Sequence, residues 1–336
     1  MNTYLSGIQP SGRPHLGNYF GAIQKHIELQ RDSRGPQDLH EAGKCFYFIA
    51  DYHALTTSRE PEKLRESVRD VAVTYLALGL DPDRVALFRQ SDVKEVLEIS
   101  WLLACVTGTG LLERAHSYKD KIARGIKPSV GLFTYPVLMA ADILAYDSTH
   151  VPVGKDQLQH VEMAQDMAGS FNAAFGDVFV RPEPIVPAEE SLAKVPGLDG
   201  EKMSKSYGND VWIFETGKKL KAAVGRIVTD SRPPSEPKDP ASLLLFRFLE
   251  LFLAPSELRE WEERVRRGGE GAPGYGHLKG RIVEAVEERF AAARARREEL
   301  LADRAEVDRV LARGAESARA RAAATAQRAL RACGLR

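Results

Sequence analysis

Cysteine is scarce in this chain of 336 residues: Cys45, Cys105 and Cys333 stand far apart, and no Cys-x-x-Cys pair occurs. That spacing argues against a zinc site, a disulfide framework or an iron–sulfur cluster. A charge surplus is missing too, because 47 basic side chains balance 47 acidic ones. No global field advertises a polyanion, so any nucleic-acid partner must be met by local patches. No apolar run reaches membrane-spanning length, and Met1-Asn2-Thr3 leads into an apolar segment without a basic and apolar leader. These absences predict a soluble, cytoplasmic protein with no membrane partner. No internal repeat is present, and the length suits a larger domain plus a smaller one better than one small core.

What is present alternates. Cys45-Phe46-Tyr47-Phe48-Ile49-Ala50, Val85-Ala86-Leu87-Phe88 and Val178-Phe179-Val180 are continuous apolar runs of the kind that form buried parallel strands, and the helix-like stretch Pro61 to Leu78 separates the first two. Such βαβ alternation predicts an α/β fold with a doubly wound, Rossmann-like parallel sheet whose ligands sit at the carboxyl ends of the strands. From Lys218 onward strand signals fade, and Leu243 to Phe252, Ser256 to Arg267, Leu278 to Leu301 and Glu306 to Leu330 carry helical patterns. The expectation is a catalytic domain over residues 1–205 and an all-helical C-terminal domain over 206–336, its last helix free to pack back on the first domain.

Two distant segments describe phosphate chemistry when taken together. Tyr4 to Gln9 is β-prone, Pro10 to Pro14 is dense in turn formers, and His15 to Arg31 carries Leu16, Tyr19, Phe20, Ile23 and Ile27 at helical spacing. A helix opening there offers unpaired N–H groups to anions; Gly17 clears room for a nucleotide, and His15 and Asn18 supply donors. Lys202-Met203-Ser204-Lys205-Ser206 places two lysines around a small polar turn, able to swing onto a triphosphate. Each half alone reads more readily as a packing glycine with an exposed first-turn histidine, or as a solvated loop.

With those blocks in order, the sequence resembles the bacterial tryptophanyl-tRNA synthetases, a branch of the class I aminoacyl-tRNA synthetases. Ser6 to Gly12 and His15 to Ala22 are similar to their N-terminal signature, Thr134 to Leu144 to their amino-acid-binding helix, Val151 to His160 to their ribose and substrate strand end, and Lys202 to Asn209 to their mobile signature loop. The resemblance runs from Ser6 to about Asn209 and beyond that rests on a helical pattern. Two departures stand out. Asn18 replaces the second histidine usual in class I enzymes, and residues 31–44, after Gln30, form a longer polar connection than the family's usual one.

The resemblance implies a fold of the class I synthetase type and a tryptophan–tRNA ligase that makes tryptophanyl-adenylate from L-tryptophan and ATP with Mg2+, releases pyrophosphate, and charges tRNA. It implies no resident metal and no tightly bound cofactor. Lys202 and Lys205 are assigned to the departing pyrophosphate with Lys121, His15 and Asn18; Gln9, Pro10, Ser11, Gly17, Gly154, Asp156, Met203, Ser204 and Ser206 complete the ATP contacts. Asp156 suits ribose hydroxyls but also the N-cap of the helix that follows. Tryptophan falls to Leu5, Gly7, Gln9, His53, Tyr135, Met139, Asp142 and Gln157, with Tyr135 and Gln157 on the α-amino group. Indole offers one N–H donor and no acceptor, so the carboxylate of Asp142 in an apolar helix suits it; an internal ion pair with an arginine is the alternative. Arg294, Arg296, Arg297, Arg309, Arg313, Arg319, Arg321, Arg328 and Arg331 are the candidate tRNA contacts, and a homodimer is implied. The competing readings are a tyrosyl enzyme, a catalytically retired paralogue and a small-molecule adenylyltransferase.

Overall fold

The computed structural model describes residues 2–10, 12–30, 44–115, 125, 127–186 and 195–335. Ser11, Lys121 and segment 31–43 lie outside the described residues, as do the side chains of Lys44 and Asp156. In chain order the strands are β1 (Thr3–Ile8), β2 (Lys44–Ile49), β3 (Val85–Arg89), β4 (His150–Pro152) and β5 (Glu183–Ile185). The helices are α1 (Leu16–Asn18), α2 (Gln24–Leu29), α3 (Asp51–Ala54), α4 (Pro61–Ala77), α5 (Glu95–Val106), α6 (Thr109–Glu113), α7 (Val130–Leu144), α8 (Leu158–Phe175), α9 (Gly217–Gly225), α10 (Leu244–Leu249), α11 (Pro255–Arg267), α12 (Tyr275–Ala302) and α13 (Arg304–Ala332).

The five strands form one parallel sheet in the order β3-β2-β1-β4-β5, with Leu5 opposite Phe46 and Tyr4 opposite His150. The chain adds strands on one side of β1 and then returns to its other side, so the direction of winding reverses between β1 and β4. That reversal opens a crevice beyond the strand ends, where Gln9-Pro10 follows β1 and Gly154 follows β4. Every residue from Cys45 to Ala50 is buried, as a strand covered on both faces requires.

Two expected elements differ. Val178 to Val180 is not a strand, because the Asn172 side chain accepts from the Val178 and Phe179 N–H groups and donates to the Phe179 carbonyl, taking the backbone groups a ladder would use. The strand falls instead at Glu183–Ile185, which pairs with β4. The helix expected over His15 to Arg31 is broken into α1, a π-helical stretch Tyr19–Ile23, and α2 ending at Leu29. Sequence periodicity cannot register such a widening, since the apolar positions still recur on one side.

Compactness groups the chain into two units that do not follow sequence order: the first is Met1–Gly12, His26–Ala188 and Leu300–Arg336, the second Arg13–Lys25 and Glu189–Glu299. In the first, α13 lies against β3, the edge strand, with Gly314 meeting Leu87 and with Val307, Leu311, Ala315, Ala318 and Ala322 of the helix buried. A Cβ on Gly314 would stand 2.0 Å from the Leu87 carbonyl oxygen, so only glycine permits this approach. Arg319 donates to the Asp92 carbonyl at 2.6 Å, and Arg321 and Arg328 grip Asp147 at 2.9 and 2.6 Å. In the second unit, Tyr19 packs edge-on against Phe20 and Phe290 and accepts from Arg289, while Phe20 meets Phe252, which seats residues 13–25 among the helices. Among the described residues, no helix is long and apolar enough to cross a membrane.

Candidate active site

In the first unit the end of β2, the end of β3 and the helix α7 bring His53, Gln90 and Asp142 together. Asp142 is 1% exposed in the last turns of α7. Among the described residues no arginine pairs with it. Instead Gln90 Nε2 donates to both carboxylate oxygens at 3.0 and 2.8 Å, and His53 Nε2 lies 2.9 Å from Oδ2. The amide of Gln90 has one permitted orientation, because its Oε1 accepts from the backbone N–H groups of Tyr52 and His53 at 3.1 and 3.3 Å. Its NH2 must therefore face the carboxylate. Burial pushes the Asp142 carboxyl above its ordinary range, while the His53 and Gln90 hydrogen bonds pull it back. The result is a buried acceptor whose donors hold it in place and leave capacity on its oxygens for one more.

A second chain of hydrogen bonds links α7 to α8. His160 Nδ1 lies 2.9 Å from Gln157 Oε1 and its Nε2 lies 2.7 Å from the Tyr135 hydroxyl. Since an amide oxygen only accepts, Nδ1 carries the ring proton and Nε2 accepts from Tyr135. A tyrosine whose proton is committed in this way acts toward any further partner as an acceptor. Leu5 is buried in β1, Met139 is half-buried, and Gly7 and Gln9 are exposed. A Cβ on Gly7 would strike the Phe48 ring at 2.5 Å, which accounts for glycine at that position. Pro10 is buried and Gly154 is exposed just before the turn Lys155–Gln157. Asp156 belongs to that turn, and the position preceding α8 is Gln157.

The second unit holds the phosphate-type residues. His15 caps α1 reciprocally with Asn18: the Asn18 N–H donates to His15 Nδ1 at 3.3 Å, and the His15 N–H donates to Asn18 Oδ1 at 3.0 Å. With Nδ1 accepting, the neutral ring carries its proton on Nε2. Burial, followed by the charges of Lys205 and Lys202 and opposed by Asp210, draws the His15 pKa down to about 4. It is therefore a neutral donor at physiological pH. A Cβ on Gly17 would meet the His15 ring at 2.9 Å and Met203 at 3.4 Å, and the Gly17 N–H points at Met203 Sδ, 3.4 Å away. Sequence separation had hidden this: the signature helix and the signature loop touch through Met203, which is buried.

Lys202, Lys205 and Ser206 are exposed on a loop whose base is fixed. Asn209, 2% exposed, accepts from the Ser204 N–H at 2.8 Å and donates to Asp199 Oδ1 at 2.8 Å and to the Lys202 carbonyl at 3.2 Å. Ser204 and Ser206 share a hydroxyl hydrogen bond of 2.8 Å. Gly197 leaves the space for this fork, as a Cβ there would lie 2.2 Å from Asn209 Nδ2. Gln90, His160 and the fork of Asn209 were not among the expected site residues. The one sequence signal for Gln90 was its place, a polar residue directly after the apolar run of β3. Among the described residues no group of three or more His, Cys, Asp or Glu side chains is arranged to hold a metal ion.

The family described as tRNA synthetases class I (W and Y) matches residues 1–291. The chain is 54% identical over 332 residues to the tryptophan–tRNA ligase of Rhodopirellula baltica, covering 99% of each, and 48% identical to that of Fusobacterium nucleatum, covering 95% of this chain and 94% of the other. It is similar to the crystal structure of the Campylobacter jejuni tryptophanyl-tRNA synthetase complexed with ADP and tryptophan, with a TM-score of 0.90 and 45% identity over 99% of this chain and all of that one. A family match over most of the length, joined to relatives this close, leaves one assignment: the chain belongs to the class I tRNA synthetases of the tryptophan and tyrosine branch.

Proposed function

We propose that the chain is a tryptophan–tRNA ligase, which activates L-tryptophan with ATP and transfers it to the 3′-terminal adenosine of a tryptophan tRNA. The observation that carries the choice of amino acid is Asp142, a buried carboxylate held by Gln90 and His53. An indole N–H satisfies such an acceptor, and a phenyl side chain leaves it unpaired at a cost that a site built for a hydrogen bond makes large. Leu5 and Met139 wall the ring, Gly7 and Gln9 contact the substrate, and Tyr135, as an acceptor, receives the α-ammonium together with Gln157.

Activation joins the tryptophan carboxylate to the α-phosphorus and releases pyrophosphate, so negative charge gathers on phosphate oxygens and little proton transfer is needed. Lys202 and Lys205 neutralise it as mobile point charges, with Lys121 as a third. His15 and Asn18 donate to the phosphates beside Gly17, and Ser11, Met203, Ser204 and Ser206 complete that set. Gln9, Pro10, Gly154 and Asp156 serve the nucleoside, Asp156 through the ribose hydroxyls. Mg2+ enters with ATP as part of the substrate.

The helical residues 206–336 take the anticodon arm. The protein works in the cytoplasm as a homodimer; supporting this, Leu97, Trp101 and Cys105 form an exposed apolar stripe on α5, with Trp101 71% exposed. The test is tryptophan-dependent ATP–pyrophosphate exchange followed by charging of tryptophan tRNA. Exchange with tyrosine in preference to tryptophan, or exchange without charging, refutes the assignment.

A further inference from the structure

Asp147 has φ of +50°, alone among the described non-glycine residues in the left-handed region. It lies in the turn that carries the chain from the end of α7 into β4, five positions after Asp142 in sequence. That conformation is unfavourable for a residue with a Cβ, and glycine would relax it. The chain keeps a carboxylate instead. That carboxylate is 9% exposed and sits between two guanidinium groups of α13, Arg328 Nη2 at 2.6 Å from Oδ1 and Arg321 Nη2 at 2.9 Å from Oδ2. Arg328 also reaches the hydroxyl of the buried Thr325. A second tether from the same helix grips the other half of the indole-recognising pair: Arg319 donates through Nε and Nη2 to the Asp92 carbonyl, two residues beyond Gln90 in the turn Gln90–Asp92. Arg89 closes that turn by donating to the Asp92 carboxylate at 2.8 Å.

Helix α13 thus holds two of the three segments that meet at Asp142, and it does so beside the one strained non-glycine residue among those described. We propose that Asp147, clamped by Arg321 and Arg328, is a positioning residue for Asp142, so that α13 sets the affinity and side-chain selectivity for tryptophan. The inference rests on the functional reading given above. A hydrogen bond weakens steeply with distance and angle, so a small displacement of Asp142 weakens its bond to the indole N–H. A clamp acting on the end of α7 can therefore tune indole recognition without touching substrate.

The experiment compares tryptophan with its benzothiophene isostere, which lacks the N–H, in ATP–pyrophosphate exchange by the full-length enzyme. Asp147→Asn, which keeps the shape and removes the charge, is expected to raise the tryptophan KM about tenfold, with the ATP KM and kcat within about twofold, and to shrink the discrimination between indole and benzothiophene. Asp147→Gly is expected to give the same KM shift with no fall in melting temperature, because it relaxes φ; this separates positioning from a merely structural anchor. Arg321 and Arg328 are partly exposed, so salt is expected to raise the tryptophan KM of the wild type and to leave that of Asp147→Gly nearly constant. A wild type that shows no tryptophan-dependent exchange overturns the functional reading and this inference with it. A wild type that exchanges while both variants keep its tryptophan KM, or variants in which the KM values for tryptophan and ATP rise together, overturns this inference alone.

Discussion

Asp142→Asn changes one atom type and nearly no volume, yet the structure gives it a specific cost. In the wild type three hydrogen-bond contacts from Gln90 and His53 fall on two carboxylate oxygens. An asparagine offers one oxygen, and its NH2 must point at a donor, because the Gln90 amide is locked by Tyr52 and His53 N–H groups and cannot turn its oxygen inward. One buried donor is left without an acceptor at about 1–3 kcal/mol, and the bond to indole falls from a charge-assisted to a neutral one, a further loss of roughly 1 kcal/mol. The unpaired donor lowers the stability of the free variant, whereas the ~1 kcal/mol lost at indole corresponds to about fivefold in kcat/KM for tryptophan. Tryptophan-dependent exchange measures it, with the benzothiophene isostere as control. The indole substrate is expected to lose much more than the isostere. Equal losses for the two would make Asp142 a purely structural residue, and unchanged exchange kinetics would remove it from the site altogether.

Lys202→Ala and Lys205→Ala are expected to slow adenylate formation far more than they weaken tryptophan binding, and to spare transfer from preformed adenylate, since pyrophosphate has then already left; single-turnover kinetics of the two half-reactions decide it, and equal slowing of both refutes the role. The His15 ring is expected to titrate near pH 4 by NMR and to move upward in Lys205→Ala while staying below 6.5, because burial is the larger cause. Its depressed pKa means that the unfolded chain binds the proton first, so its contribution to stability is present above pH 6.5 and is lost as pH falls toward 4; a wild-type midpoint at 6.5 contradicts the burial. Gly314→Ala sets a helix-propensity gain of about 1 kcal/mol against a Cβ placed 2.0 Å from the Leu87 carbonyl oxygen, and since backbone cannot yield, a net destabilisation of about 1–3 kcal/mol is expected in denaturant unfolding. A variant as stable as the wild type would mean that α13 does not approach β3 so closely.

The parts of the site that sequence made legible are those where a residue type contradicts its surroundings. Asp142 in an apolar helix and two lysines around Met203-Ser204 stand out for that reason, and the runs of β2 and β3 are readable because a strand buried on both faces has no polar alternation to conceal it. What was not legible depends on contacts across the chain. Gln90 acquires its meaning only from Asp142, 52 positions away, and from the two backbone N–H groups that fix its amide. His160 was visible, but its tautomer follows from Tyr135 and Gln157 together. Strand β5 is three residues long and contains Pro184, so its pairing with β4 leaves almost no trace in composition. The grouping of residues 13–25 with the later helices is topological, and no local pattern encodes it.

The approach of α13 to β3 also bears on how the chain matures on the ribosome. Strand β3 is complete long before α13 emerges, since the helix begins at Arg304. Throughout that interval the nascent chain presents an uncovered edge strand, Val-Ala-Leu-Phe, a hydrophobic template of the type that recruits other chains. Premature termination between Asn209 and Arg304 would therefore release a product that has its signature residues and yet is prone to aggregate, which makes the helix a checkpoint on complete synthesis as much as a structural brace.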